Sequence, residues 1–155
     1  MLKIRIVAIG KDKDRWISDG SQHYTRLLSR YASVQATIVP SLKSTSSLSP
    51  TEIKAQEAER FEKQLGKGYL IALSDKGVRM DSEGLAKRIE KLQAQTGEIT
   101  FLIGGAYGLD ERLIKRADLV LSLSPLTFSH QLVRLILLEQ LYRALSILQG
   151  SSYHK

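Results

Sequence analysis

Cysteine is absent from this chain of 155 residues, and histidine and proline each occur only three times. Without cysteine there are no disulfides and no thiolate ligands, and three scattered histidines do not form the usual ligand set of a zinc site. We therefore expect no metal. A chain of this length buries enough apolar surface to fold without such links, so we expect one domain spanning residues 1–155.

Long hydrophobic runs are also missing. The N-terminal segment alternates apolar side chains with Lys3 and Arg5, and it lacks the apolar stretch and the small-residue cleavage site of a secretory signal peptide. No segment reaches the roughly 20 apolar residues that a membrane helix needs. The sequence therefore predicts a cytoplasmic protein that has no membrane partner.

Acidic residues are outnumbered: the chain has 16 Asp and Glu against 23 Lys and Arg, which gives a net charge of +7. A basic excess of this size favours a polyanionic partner such as nucleic acid. The basic residues are spread along the whole chain and do not form a tail. Charge alone therefore leaves open whether the protein binds RNA.

Short apolar segments alternate with segments in which apolar residues recur every three to four positions, the patterns of strands and helices respectively. Strands are predicted at 3–9, 34–38, 69–73, 99–103 and 119–123. Helices are predicted around 16–31, 50–65, 85–92 and 129–149, with a short one after Asp110. This alternation predicts a parallel α/β sheet with helices on both faces and with ligands at the carboxyl ends of the strands.

Two local signals refine these boundaries. Ser49, Pro50 and Glu52 together are typical of a capped helix start, in which the serine and glutamate side chains satisfy backbone amides reciprocally. The strand at 69–73 is followed by Ser-Asp-Lys-Gly, so we expect it to end in a turn at 74–77.

The last predicted helix is apolar on nearly all of its circumference. Its polar side consists of Glu139, Gln140, Arg143 and Ser146. Two isoleucines, Ile136 and Ile147, lie on that side as well. A helix that is apolar all round has to be buried all round, and a small sheet covers only one of its faces. We therefore expect a homodimer built on this helix. The alternative is a central core helix in a monomer.

Arg134 is out of place on this apolar helix. It lies one turn after His130 and on the same face, flanked by leucines. A cation is costly there, because its neighbours are apolar and the helix N-terminus already carries partial positive charge, so we expect a nearby anion. His130 and Arg134 are therefore the leading candidates for an active-site pair. The alternative is an arginine that extends to solvent and a histidine that is merely exposed.

A glycine-rich turn, Gly104-Gly105-Ala106-Tyr107-Gly108, follows the strand predicted at 99–103. It matches neither the G-x-G-x-x-G dinucleotide pattern nor the Walker A phosphate loop, which disfavours a nucleotide-dependent enzyme. Alone, such a sequence is more often a tight turn than a ligand site. Combined with the loops after Leu73 and at Ser124 to Ser129, it predicts one concave site lined by backbone amides and small side chains.

Several segments resemble the SPOUT methyltransferases, and within them the RlmH family, which methylates the N3 atom of a pseudouridine in bacterial large-subunit rRNA. The resemblance covers essentially the full length. The segments that carry it are Gly10-Lys11, Trp16, His23 to Leu27, Tyr31, Leu102 to Gly105, Tyr107-Gly108, Leu121 to Leu132, Glu139 to Ala144, and Gly150 with Tyr153-His154-Lys155. The most specific parts are the Thr-Phe-x-His-Gln-Leu core and the terminal Tyr-His.

The resemblance implies a SPOUT-type α/β fold, a parallel-sheet sandwich in a single domain with a trefoil knot in its carboxyl-terminal half. It also implies a homodimer in which the C-terminal tail of the partner completes each site. The implied cofactor is S-adenosylmethionine. Its binding residues would be Leu73, Gly105, Ser124, Pro125, Leu126, Thr127, Phe128 and Ser129.

The same resemblance implies roles for individual residues and rRNA as the substrate. We expect rRNA of the assembled ribosome, with free rRNA as the alternative. The catalytic candidates are His130, Arg134, Tyr153 and His154, and the RNA-binding candidates are Arg143 and Lys155. Tyr153 would stack on the target base, while the basic residues would contact phosphates. The group that accepts the proton of the target nitrogen stays open. A non-enzymatic RNA-binding or ribosome-associated module is the alternative function, and binding of S-adenosylmethionine distinguishes the two.

Overall fold

Five strands and five helices alternate along the chain in the computed structural model, which describes all 155 residues. The strands are β1 (Leu2–Ile9), β2 (Ala32–Val39), β3 (Tyr69–Arg79), β4 (Glu98–Ile103) and β5 (Leu119–Ser122). The helices are α1 (Arg15–Leu28), α2 (Pro50–Glu62), α3 (Ser82–Gln95), α4 (Glu111–Arg116) and α5 (His130–Leu148). None of these helices has the length and apolar character needed to cross a lipid bilayer.

The strands form one sheet in the order β2-β1-β4-β3-β5, and all neighbouring strands are parallel. In the interior strand β1, Ile4 and Ile6 face one side of the sheet and Val7 and Ile9 the other, and all four are buried. Strands of this kind are covered by helices on both faces. The predicted parallel α/β fold is thereby confirmed, and the knot implied by the resemblance stays a prediction.

Two separate cores flank the sheet. Helices α1, α3 and α5 cover one face, where Leu28, Ile89 and Leu137 are fully buried. Helices α2 and α4 cover the other face, where Phe61 and Leu113 are fully buried. Because the strands are parallel, the loops at their carboxyl ends all lie at one edge of the sheet, between these two helical layers.

The start of α2 has the cap that the sequence predicts. The Ser49 hydroxyl accepts a hydrogen bond from the Glu52 amide at 3.1 Å, and the Glu52 carboxylate accepts one from the Ser49 amide at 2.8 Å. Pro50 occupies the first helical position, where no amide donor is needed. The reciprocal cap fixes where α2 begins, and therefore which of its side chains face the sheet.

The third strand differs from its prediction. The strand does not end after Leu73, because Leu73 and Val78 both pair with Leu121 and the residues 74–77 between them bulge out. A bulge of this kind absorbs turn-forming residues without ending the strand. At Gly77 a Cβ atom would lie 2.7 Å from a carbonyl oxygen of β5, so a side chain does not fit there. The predicted strand end was therefore wrong.

The polar side predicted for α5 is not fully exposed to solvent. Ser146 is fully buried, whereas Glu139, Gln140 and Arg143 are half-buried. Helix α5 contacts both α1 and α3, so these helices cover two of its sides within one chain. Part of the covering expected from a second subunit is thus supplied by the chain itself, and the homodimer stays a prediction.

Candidate active site

The predicted cofactor segments lie side by side at the carboxyl edge of the sheet. Leu73 precedes the bulge of β3, Gly105 follows β4, and the loop 124–129 follows β5. These three strands are adjacent in the sheet, where neighbouring strands are about 5 Å apart. The structure therefore brings the three segments to one place, and it is the place where parallel sheets bind ligands.

The glycine turn after β4 is closed by its own backbone. The Gly108 amide donates to the Gly105 carbonyl oxygen at 3.0 Å, and Gly108 has a φ of 81°, which favours glycine. At Gly104 a Cβ atom would lie 2.6 Å from the carbonyl carbon of Gly108. A side chain at Gly104 is thus excluded by the turn itself and not by the needs of a ligand.

The loop after β5 is held by hydrogen bonds of its serine hydroxyls. The Ser122 hydroxyl lies 2.9 Å from the carbonyl oxygen of Ser124 and 3.2 Å from that of Asp75 in the β3 bulge. The Ser124 hydroxyl accepts a hydrogen bond from the Leu126 amide at 3.0 Å, and the Ser129 hydroxyl caps α5. The single proton of the Ser122 hydroxyl is shared between the two carbonyl oxygens, so the link from the loop to the bulge is weak. The serine contacts within the loop hold its shape before any ligand binds.

The same loop presents groups that suit a nucleoside. Leu126 is 68% exposed, and Pro125 beside it is exposed as well. The amides of Thr127 and Phe128 donate to no acceptor of the protein. Free backbone donors beside apolar surface match a purine ring, which has acceptor nitrogens at its edge and apolar faces. The groups at this edge therefore fit S-adenosylmethionine.

Arg134 is 3% exposed and is held by groups of the chain itself. Its Nη1 donates to Oδ1 of Asp12 at 2.6 Å, and its Nη2 donates to the carbonyl oxygens of Ile9 and Gly10 at 3.2 and 2.7 Å. Burial lowers the pKa of Arg134, and the Asp12 carboxylate opposes that shift. The anion that the sequence argument requires beside Arg134 is thus Asp12. Arg134 therefore fixes the first turn of α5 to the end of β1.

His130 stands one turn earlier on α5, over the loop that follows β1. Its Nε2 lies 3.8 Å from the position of a Cβ atom built on Gly10. Burial lowers the pKa of His130, the positive charges of Arg134 and Lys13 lower it further, and Asp12 opposes them. The imidazole is therefore neutral at pH 7, and a neutral imidazole has a nitrogen that accepts a proton.

The C-terminal tail folds back onto α5 of the same chain. The Tyr153 hydroxyl donates to Oε1 of Glu139 at 3.2 Å, and Arg143 pairs with the same oxygen at 2.6 Å. The Arg143 guanidinium lies 4.7 Å from the centre of the Tyr153 ring, and its Nη1 lies 3.3 Å from Nδ1 of His154. A hydrogen bond to Glu139 raises the pKa of Arg143, and burial raises that of Tyr153. The last residue, Lys155, is exposed.

The two halves of the predicted catalytic set do not meet within one chain. Glu139, which holds the tail, lies nine residues beyond His130 on α5, and this spacing corresponds to roughly 13 Å along the helix axis. Tyr153 and His154 therefore lie near the middle of α5, whereas His130 and Arg134 lie at its start.

One buried acidic residue was not predicted from the sequence. Glu57 on α2 is 8% exposed and is the only buried acidic residue of the chain. It is four residues from both Ile53 and Phe61, which are buried on the same helix. Since residues four apart share a helix face, an acid inside an apolar stripe is a signal that the sequence contains. The Glu57 carboxylate faces Gly105, which is one of the predicted cofactor residues.

Comparison with known protein families identifies the family of this chain. A family model described as "Predicted SPOUT methyltransferase" matches residues 2–154. The chain belongs to the SPOUT methyltransferase family. It is 42% identical to the protein named "Ribosomal RNA large subunit methyltransferase H" of Acetivibrio thermocellus and 44% identical to the protein of that name of Halothermothrix orenii. Each match covers 99% of this chain and 100% of the relative.

Solved structures share the fold at low sequence identity. A probable methylase family protein from Haemophilus influenzae superposes with a TM-score of 0.58 at 16% identity, covering 98% of this chain and 70% of that chain. The tRNA (m1G37) methyltransferase from Aquifex aeolicus gives 0.54 at 17% identity, covering 92% of this chain and 69% of that chain. At such identities the likeness establishes the fold and not the activity. The predicted SPOUT-type fold is thereby confirmed.

Proposed function

We propose that this protein transfers a methyl group from S-adenosylmethionine to the N3 atom of a pseudouridine in 23S rRNA. The observation that carries the proposal is the full-length match to proteins named for methylation of large-subunit rRNA, because every predicted cofactor segment lies within the matched residues. A net charge of +7 suits a polyanionic substrate. The protein acts as one domain over residues 1–155, in the cytoplasm and on the assembled ribosome.

The cofactor site consists of Leu73, Gly105 and the loop 124–129. S-adenosylmethionine, when bound, supplies a methyl group activated by a positively charged sulfur. The loop presents the free amides of Thr127 and Phe128 to the nucleoside and the apolar side chain of Leu126 to its ring. Because the serine hydroxyls already hold the shape of this loop, less conformational freedom is lost on binding.

His130 is the general base that accepts the proton of the target nitrogen. The N3 atom of a pseudouridine carries a proton at neutral pH and becomes a good nucleophile only when that proton leaves. His130 is neutral at pH 7 because of its burial and its basic neighbours, so its imidazole accepts the proton. Arg134, which is already bound to Asp12, holds the turn that carries His130 in place.

The partner subunit supplies the second half of the catalytic set. Within one chain the tail lies roughly 13 Å from His130 along α5, so a homodimer joins the two halves by bringing the tail of one chain to His130 of the other. Half-buried Leu132, Leu135 and Ile136 at the start of α5 provide apolar contact surface. The partner tail contributes a tyrosine that stacks on the target base and a histidine near the reacting nitrogen.

The RNA-binding residues lie beside that tail. Arg143 stacks on Tyr153, donates through Nε and Nη2 to Glu139, and has its Nη1 beside His154, so only its remaining N–H groups are left for phosphate oxygens. Lys155 is exposed at the chain end, where a flexible cation contacts the backbone of the RNA.

Methylation of ribosomes tests the proposal. Ribosomes from a strain that lacks this gene are incubated with the purified protein and S-adenosylmethionine, and fragments of 23S rRNA are weighed by mass spectrometry. We expect one added methyl group on a pseudouridine. A protein that binds the ribosome but transfers no methyl group, and that shows no calorimetric binding of S-adenosylmethionine, would instead be an RNA-binding module.

A further inference from the structure

Glu57 is largely buried, and its carboxylate has no partner in the chain. The residue is 8% exposed, no hydrogen bond or ion pair reaches its carboxylate oxygens, and both oxygens keep some contact with solvent. The arginines on this face of the sheet are used elsewhere: Arg60 donates to the carbonyl oxygens of Pro40 and Ser41, and Arg112 donates to a carbonyl oxygen of α2. The fold therefore leaves this negative charge uncompensated by a direct donor.

The carboxylate points at the glycine turn. A Cβ atom on Gly105 would lie 3.0 Å from Oε2 of Glu57 and 3.4 Å from Oε1, with Cγ2 of Ile9 at 3.1 Å. Because Gly105 has no side chain, the Glu57 oxygens come close to the backbone of a predicted cofactor segment. Glu57 thus reaches the carboxyl edge of the sheet from α2, on the side opposite to His130 and Arg134.

Partial burial of a carboxylate without protein donors is costly, and only the water that reaches its oxygens offsets that cost. Here burial raises the pKa of Glu57, and the positive charge of Arg60 opposes the shift. Buried polar groups that only support a fold are normally hydrogen-bonded within it. An unpaired acid beside a ligand site is therefore better explained by a ligand that offsets its charge.

The surroundings narrow the chemistry of that ligand. Other acids at this edge are paired or exposed. Asp12 is paired with Arg134, and Asp110 after the glycine turn is paired with Arg112. Asp75 in the β3 bulge is exposed, so solvent and salt screen its charge. A cationic ligand entering such a site needs a free negative charge at short range. The methyl donor of the proposed function carries two positive groups, its sulfonium and its α-ammonium.

We propose that the Glu57 carboxylate binds the cationic methionine part of the methyl donor and so selects it over neutral nucleosides. This inference rests on the proposed function, since it assigns a further binding residue to the same site. Glu57 has no part in moving the proton, which stays with His130. Its contribution is a charge-assisted contact with the cofactor.

Calorimetric titration of the full-length protein tests the assignment. The variants are Glu57→Gln, which removes only the charge, and Glu59→Gln, which makes the same change at an exposed position of the same helix. The ligands are S-adenosylmethionine, S-adenosylhomocysteine, whose sulfur is neutral, and methylthioadenosine, which lacks both cations. We expect Glu57→Gln to weaken binding of S-adenosylmethionine roughly tenfold or more. Binding of methylthioadenosine should not change, and Glu59→Gln should bind all three like the wild type.

Binding of S-adenosylhomocysteine shows which of the two positive groups of the methyl donor Glu57 contacts. If the variant weakens it as much as S-adenosylmethionine, Glu57 contacts the ammonium; if it is unaffected, Glu57 contacts the sulfonium. Unchanged binding of S-adenosylmethionine, or equal weakening of all three ligands, overturns the assignment. A lower melting temperature of unliganded Glu57→Gln also overturns it, because the carboxylate would then have a structural partner. Failure of the wild type to bind S-adenosylmethionine would instead contradict the proposed function.

Discussion

Arg134 and Asp12, whose side chains meet at 2.6 Å, join the first turn of α5 to the loop that follows β1. The two residues are 122 positions apart in the sequence. Since Arg134 also donates to the carbonyl oxygens of Ile9 and Gly10, a single guanidinium holds the turn of His130 against the end of β1. The position of the proposed proton acceptor therefore depends on this ion pair.

Replacing Asp12 tests the ion pair. Asp12→Asn leaves a buried guanidinium without its anion, and loss of one partner of a fully buried pair costs about 3–5 kcal/mol. Because the Asp12 side chain is 22% exposed, water replaces part of the interaction, and we expect a loss of roughly 2 kcal/mol in the free energy of unfolding. Urea denaturation measures it. Asp14→Asn, at an exposed position of the same loop without a side-chain hydrogen bond, is the control; equal stabilities of the two variants would refute the role of the pair.

His130 gives the stability of the protein a dependence on pH. Its pKa in the folded state lies below the ordinary value of 6.5, so below about pH 6.5 the unfolded state binds the proton more tightly and stability falls as the pH drops. His130→Gln removes this contribution. We expect the wild type to lose stability relative to the variant between about pH 7.5 and pH 5.5 in urea denaturation. A relative stability that is constant or rises at the lower pH would show that the shift is absent.

Any side chain at Gly104 is expected to destabilise the protein. A Cβ atom there would lie 2.6 Å from the backbone of Gly108, so Gly104→Ala forces the turn to open and should cost roughly 1–3 kcal/mol. At Gly97 nothing lies within 4 Å of such an atom, so Gly97→Ala is the matched control and should leave stability unchanged or slightly higher. The melting temperatures of the two variants and of the wild type measure these effects. The geometry of the turn is wrong if both variants melt like the wild type.

Removal of the C-terminal tail separates folding from catalysis. Deleting Tyr153 to Lys155 removes one hydrogen bond to Glu139 and the contacts of Arg143 with Tyr153 and His154, all near the surface, so we expect a loss of roughly 1–2 kcal/mol in the free energy of unfolding and an intact fold. Methylation of ribosomes should nevertheless be abolished, because the base-stacking tyrosine is lost. Methyl transfer and light scattering measure activity and oligomeric state. Retained activity would remove the tail from the site.

Local signals predicted most of the fold. The cap at Ser49 and Glu52 involves residues three apart, and the start of α4 involves residues two apart, since the Asp110 side chain accepts from the Arg112 amide. Strand and helix periodicity likewise reflect burial of neighbouring residues. Such features are determined by short stretches of sequence, which is why they could be predicted without the structure.

Pairing between distant segments could not be predicted in this way. The bulge of β3 depends on Leu121 pairing with both Leu73 and Val78, and a local pattern contains no information about that register. The misplaced charge of Arg134 correctly indicated a nearby anion, but which acid would meet it depended on the fold. Glu57 was missed for a different reason, since its place in the apolar stripe of α2 was visible and only its proximity to Gly105 was not.

Complementation between two inactive variants tests most directly whether the active site is shared between subunits. His130→Ala and the variant lacking Tyr153 to Lys155 are unfolded together, refolded as a mixture and assayed for methyl transfer to ribosomes. Each mixed dimer contains one site with both His130 and a partner tail, so random pairing should restore about a quarter of wild-type activity. Absence of any recovery, or activity in either variant alone, would contradict the account.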